Sequence, residues 1–265
     1  MEDNSIAILY SGIEHHVSAD EYDLFTAQAN RNFFYLTGLR RDNMVLVLDK
    51  CVEPAKTMLF IEEADPTMER WYGRKVTMEE AEEISGIDEV EYIYELESTL
   101  DRIMTREDVY TAYFDTYRHQ KVDLPDYNVV KANEFKTDYP GIAVKNLFPL
   151  VAEERMQKDE DEIELTQKAI ALTKDGLCNV MANLKPGMKE YQTQADFEYI
   201  IRRGGAEWTA FPTIAGSGMN GTMLHYDTNR ETMEDGTLVL LDLGARIDGY
   251  NSDITRTYPV NGRFT

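Results

Sequence analysis

The feature that most constrains this chain is an aspartate set inside its most apolar strand pattern. Thr237 to Ala245 reads as a strand, and Asp242 sits within it beside Leu240, Leu241 and Leu243. An ionised carboxylate in such a run is costly unless hydrogen bonds or a cation compensate it. Arg246-Ile247-Asp248-Gly249 then read as a turn, and Tyr250 to Val260 as a return strand carrying Asp253. The whole is a β-hairpin pattern. A two-residue turn at Ile247-Asp248 sets the two aspartates directly opposite each other. A turn at Asp248-Gly249 makes them diagonal neighbours on one face, and a three-residue turn puts them on opposite faces. Like charges that meet across strands destabilise a sheet, and a divalent cation held by hard carboxylate oxygens removes that penalty. The spacing also leaves open a plainer reading, in which Asp242 caps a turn and Asp253 is solvated.

Upstream, β-type runs alternate with helical ones. Ile6 to Tyr10, Met44 to Leu48, Thr57 to Ile61, Val90 to Tyr94 and Val109 to Phe114 are rich in β-branched and aromatic residues. Between them, Met78 to Ser85 and Glu95 to Met104 read as helices. This order predicts an α/β N-terminal domain with a largely covered mixed sheet. The carboxylates Glu79, Glu80, Glu82 and Glu83 read as a solvated helix face, since no histidine accompanies them.

The character changes near residue 150, which divides the chain into domains 1–150 and 151–265. Asp159-Glu160-Asp161-Glu162 open a long helix whose Ile163, Ile170, Leu177 and Leu184 recur every seven residues. Leu172, Val180 and Met181 widen that stripe, which suits packing on a sheet. Lys185-Pro186-Gly187 stops the helix. A second helix runs from Glu190 to Arg203, burying Thr193, Phe197, Ile200 and Ile201, and Gly204-Gly205 ends it.

Composition excludes whole classes. A formal net charge of -22 repels nucleic acid, whose binders need a basic surface. No apolar run is long enough to span a membrane, and the acidic start Met1-Glu2-Asp3-Asn4 is unlike a secretory signal. The expectation is a cytoplasmic protein with two reduced thiols, Cys51 and Cys178.

Several motifs carry a family resemblance. Leu240-Leu241-Asp242-Leu243-Gly244-Ala245 with Gly249-Tyr250-Asn251-Ser252-Asp253-Ile254-Thr255-Arg256-Thr257 resembles the metal-binding hairpin of the proline-peptidase branch of the pita-bread metallopeptidases. Leu224-His225-Tyr226-Asp227-Thr228-Asn229 is similar to the substrate-side histidine motif of the same enzymes. Asn32-Phe33-Phe34-Tyr35-Leu36-Thr37-Gly38 and Glu69-Arg70-Trp71-Tyr72-Gly73 resemble marks of their N-terminal domain. Together they point to the Xaa-Pro aminopeptidase (aminopeptidase P) branch.

The resemblance implies an α/β N-terminal domain followed by an incomplete α+β pita-bread domain. It implies hydrolysis of the bond between an N-terminal residue and a following proline, by water activated on two divalent metal ions, commonly Mn2+. Asp242 and Asp253 carry over as metal ligands, His225 as the substrate-binding group, and Thr255 as the residue that orients the Asp253 carboxylate. His15, His16 and His119 match no site of the family. The implied partners are peptides with proline in second position and further copies of the chain. The family's remaining ligands, a His and two Glu, lie downstream of the hairpin, so these 265 residues alone are expected to be inactive. Two related readings are a prolidase acting on Xaa-Pro dipeptides and a non-catalytic binding module. Creatinase, which shares the fold without metal, fits less well because both aspartates are present.

Overall fold

The computed structural model describes residues 1–13, 18, 30–106 and 108–264. They form two compact units, Met1–Gln157 and Lys158–Thr265.

In the first unit the described elements run β1 (Ser5–Tyr10), α1 (Arg31–Thr37), β2 (Val45–Asp49), β3 (Lys56–Ile61), α2 (Pro66–Tyr72) and α3 (Met78–Ser85). Then follow β4 (Glu89–Tyr92), α4 (Leu96–Met104), β5 (Thr111–Phe114), α5 (Tyr127–Asp138), β6 (Ala143–Asn146) and α6 (Phe148–Met156). The strands form one mixed sheet in the order β4-β3-β2-β1-β5-β6. Alternation along each strand sorts side chains between two cores. Ile6 and Ile8 join Val45, Val47 and Phe60 on one face, while Ala7 and Leu9 join Leu46, Leu59 and Ile61 on the other. Both faces are covered, which is why these strands read as unbroken apolar runs. The run expected to reach Tyr94 ends at Tyr92, where a tight turn over Ile93–Glu95 leads into α4.

The Asn32–Gly38 motif builds α1. Asn30 caps it by accepting from the Asn32 and Phe33 N–H groups at 2.9 and 3.1 Å, and Gly38 ends it in the left-handed region at φ 71°. Asn32 is buried; it donates to Asp115 at 2.9 Å and accepts from Arg155 at 2.6 Å. Arg155 lies on α6, whose Val151 is part of the core that holds Ala7, Leu9 and Leu46. These contacts carry the boundary past α6 to Gln157, a few residues beyond the expected position near residue 150.

The second unit comprises α7 (Glu160–Asn183), α8 (Glu190–Arg203), β7 (Trp208–Thr209), β8 (Ile214–Ser217), β9 (Leu238–Leu243), β10 (Ala245–Ile247), β11 (Tyr250–Asn251) and β12 (Ile254–Pro259). Its strands form two small sheets, β11-β10-β7 and β12-β9-β8. Asp159 and Glu162 cap α7 reciprocally, at 2.8 and 3.1 Å.

The seven-residue stripe on α7 is only partly the buried face. Leu177 and Val180 are buried, but Ile163, Ile170 and Met181 are exposed. The face turned inward is instead small: Ala169, Thr173 and Gly176. Small residues let α8 approach closely, and an added Cβ at Gly176 would lie 2.5 Å from Phe197 Cδ2. Phe197 is itself fully buried and has little room to yield. Gly176→Ala is therefore expected to destabilise the second unit by about 1–3 kcal/mol. The urea midpoint measures this, and an unchanged midpoint would show that the helices separate without cost.

Candidate functional site

The hairpin turns at Asp248-Gly249, with φ of 50° and 82°. Two successive positive φ angles favour an Asp-Gly pair and match the strand twist. Ile247 then pairs with Tyr250 and Arg246 with Asn251. Beyond a break at Gly244 and Ser252-Asp253 the same register resumes, placing Thr255 opposite Asp242 and Ile254 opposite Leu243. Of the two turns that keep the aspartates on one face, the chain adopts the one that makes them diagonal. The hairpin is not continuous, because the break hands its two halves to different sheets.

The break is tightly held. The Ala245 N–H donates to Thr173 Oγ1 at 2.9 Å and to Ser252 Oγ at 3.0 Å, and the two hydroxyls lie 2.6 Å apart. All three residues are buried. Ala210 N–H donates to the Gly244 carbonyl at 2.8 Å.

Beside this waist is a cavity of about 370 Å³ lined by Phe211, Pro212, Ile214, His225, Asp227, Asp242 and Asp253. Ile214 pairs with Asp242 from the other neighbouring strand, so it shares the aspartate's face. Desolvation in the cavity, and then the charge and hydrogen bond of Asp242, push the Asp253 carboxyl above its ordinary value. Thr255 differs from the expectation. Its hydroxyl donates to Asp242 Oδ1 at 2.7 Å, not to Asp253, because the register sets it directly across from Asp242.

His225 sits on an exposed segment after a tight turn over Gly218–Thr222. The segment is anchored at both ends. Asn229, buried and at φ 49°, accepts from Ala215 N–H at 2.9 Å and donates to the Thr213 carbonyl at 2.7 Å. Glu190, fully buried at the start of α8, accepts from Ser217, Asn220, Tyr226 and Glu231. Of the other histidines, His119 lies in the first unit, and His15 and His16 lie outside the described residues.

The donor set fits a hard divalent cation in kind. Two carboxylates that crowd each other in one cavity offer hard oxygen donors, and Oδ1 of Asp242 is already fixed by the Thr255 hydroxyl. Among the described residues no three His, Cys, Asp or Glu side chains converge on one point.

Comparison with known proteins agrees in both units. Residues 1–113 match the aminopeptidase P N-terminal domain, and residues 164–265 match metallopeptidase family M24. Among curated relatives, the Xaa-Pro aminopeptidase of Escherichia coli is 33% identical over all of this chain and 60% of its own length. Human Xaa-Pro aminopeptidase 3 is 31% identical over 91% of this chain and 48% of its own. Among solved structures, a Bacillus anthracis aminopeptidase P candidate superposes with a TM-score of 0.95 at 40% identity, covering all of this chain and 63% of that one. Proline aminopeptidase P II from Yersinia pestis superposes at 0.85 with 32% identity, covering all of this chain and 61% of that one. The chain thus spans about 60% of the length of the bacterial relatives it matches. Among the described residues no helix is long and apolar enough to cross a membrane.

Sequence reasoning singles out Asp242, Asp253 and His225, which the fold brings to one cavity, but passes over Glu190 and the apolar wall. Phe211, Pro212 and Ile214 look like ordinary strand residues in sequence. Glu190 looks like one more acidic residue in a helix first turn. A faint signal is present, since it lies three residues after the Lys185–Gly187 breaker, where a new helix begins.

Proposed function

We propose that the second unit contributes part of the active site of an Xaa-Pro aminopeptidase, hydrolysing the peptide bond between an N-terminal residue and a following proline. The observation that carries this is the gathering of His225, Asp242 and Asp253 around one cavity. Asp242 and Asp253 would hold divalent cations, with Mn2+ the ion the family favours. When bound, such cations supply a water of lowered pKa as the nucleophile. The chain's own side chains do the rest. Thr255 keeps the Asp242 carboxylate from rotating. His225, at the exposed rim, hydrogen-bonds the peptide carbonyl as negative charge develops on it. Phe211, Pro212 and Ile214 give the apolar surface against which a proline ring can lie and from which water is excluded.

Calorimetric titration with Mn2+, combined with an assay on a peptide bearing proline in second position, tests the reading. These 265 residues are expected to bind Mn2+ weakly and to turn over no peptide, because two carboxylates leave the coordination shell incomplete. Turnover by the purified chain would refute the second part. Mn2+ binding that survives Asp242→Asn combined with Asp253→Asn would refute the first.

Thr255→Val keeps the side-chain shape and removes the donor to Asp242 Oδ1. We expect it to weaken Mn2+ binding about 10-fold or more, as loss of a ligand's hydrogen-bonding partner does elsewhere. Equal affinity in both proteins would show that the Asp242 carboxylate needs no such support.

A further inference from the structure

Tied to the chain on both sides of His225 is a buried charge that the proposed chemistry does not use. Glu190 is 0% exposed, and all five donors it meets are neutral. Its Oε1 accepts from Ser217 N–H and Ser217 Oγ at 2.8 Å each, and from Asn220 Nδ2 at 3.1 Å. Its Oε2 accepts from the Tyr226 hydroxyl at 2.7 Å and from Glu231 N–H at 3.0 Å. Burial works against the charge, but the hydrogen bonds from Ser217, Tyr226 and Asn220 outweigh it and hold the carboxyl below its ordinary pKa. Its place in the first turn of α8, at the positive end of the helix dipole, favours the same charge state.

The donors are distributed along one segment. Ser217 closes β8, Asn220 lies in the tight turn, Tyr226 directly follows His225, and Glu231 comes after the segment. Met223, Leu224 and His225 themselves are exposed and belong to no strand or helix. One carboxylate therefore restrains the chain on both sides of His225, where packing restrains it little. We propose that Glu190 is a positioning residue for His225, tying the segment from Ser217 to Glu231 so that the imidazole stays at the rim of the cavity. Its catalytic meaning rests on the reading of His225 given above; the restraint itself does not.

Glu190→Gln separates positioning from simple stabilisation. Each carboxylate oxygen accepts one backbone N–H, from Ser217 or from Glu231. Whichever way the amide is turned, its NH2 faces one of those N–H groups and leaves it without an acceptor. The chain has only four histidines, so selective imidazole labelling resolves His225 by NMR, assigned through its loss in His225→Gln. In Glu190→Gln the His225 resonances should shift or broaden while those of His119, in the first unit, stay fixed. Amide exchange over residues 218–228 should quicken about tenfold or more, as local opening becomes easier. Tyr226→Phe removes a single donor, should give a smaller change of the same kind, and carries the test if Glu190→Gln does not fold. Unmoved His225 resonances and unchanged local exchange, with only a lower denaturation midpoint, would overturn the proposal. Absence of any Mn2+-induced stabilisation in the unsubstituted chain would sink the metal assignment instead and leave the His225 result standing.

Discussion

Gly244→Ala is expected to do more damage than any other single-methyl addition in the second unit. The added Cβ would lie 1.9 Å from the Ser252 carbonyl oxygen and 2.8 Å from its carbon. The obstacle is backbone, so no side-chain rotation relieves it. Ser252 cannot retreat easily either, because its N–H and hydroxyl are both engaged with Ala245. The return strand must move as a body, which breaks the Thr173–Ser252–Ala245 cluster in the core and carries Asp253 away from Asp242. We expect a loss of about 3 kcal/mol or more, at the upper end of what overpacking costs. Trp208 belongs to the second unit and Trp71 to the first. Urea unfolding followed by Trp208 fluorescence in a Trp71→Phe background therefore isolates the effect. A wild-type midpoint with an unchanged slope would show that the strands can part at this point without penalty.

That glycine also shows what was legible in the sequence and what was not. Binary patterning located the hairpin because Thr237 to Ala245 is apolar and Asp248-Gly249 is a turn signal, and local rules of this kind act through nearest neighbours. The break at Gly244 depends on Ala210, Thr173 and Ser252, which are distant in sequence and meet only in the fold. The same distinction explains α7. Its hydrophobic repeat is real, yet the buried face follows Ala169, Thr173 and Gly176, because close approach to Phe197 outweighs the burial of two isoleucines. It explains β6 as well, a short edge strand in which only Val144 packs on the core, so that its pairing with β5 leaves little apolar trace. In the site, Asp242 stood out because it violates its surroundings. Glu190 did not, since nothing in a helix first turn distinguishes a buried carboxylate from a solvated one.

Asp253→Asn should separate stability from cation binding in opposite directions. In the cation-free chain the two carboxylates repel each other across the strands, and desolvation together with Asp242 already disfavours charge on Asp253. Replacing one by a neutral isostere removes that repulsion, so the cation-free Tm should hold or rise. The same change removes the negative charge and one carboxylate oxygen from the proposed site, so the rise in Tm on adding Mn2+ should vanish. For the unsubstituted chain, Mn2+ at one hundred times its Kd is expected to add about 2.7 kcal/mol to the stability of the second unit. Asp175→Asn, which removes the same charge from an exposed position on α7, controls for net charge and should leave both quantities as they were. Asp242→Asn should resemble Asp253→Asn in losing the Mn2+ response, while its amide oxygen can still accept the Thr255 hydroxyl at the Oδ1 position. A drop in cation-free stability for Asp253→Asn would mean that the carboxylate is held by favourable contacts rather than strained by its neighbour. The electrostatic case for a cation between them would then fall, because a pair that is already content has no charge left for a metal to neutralise.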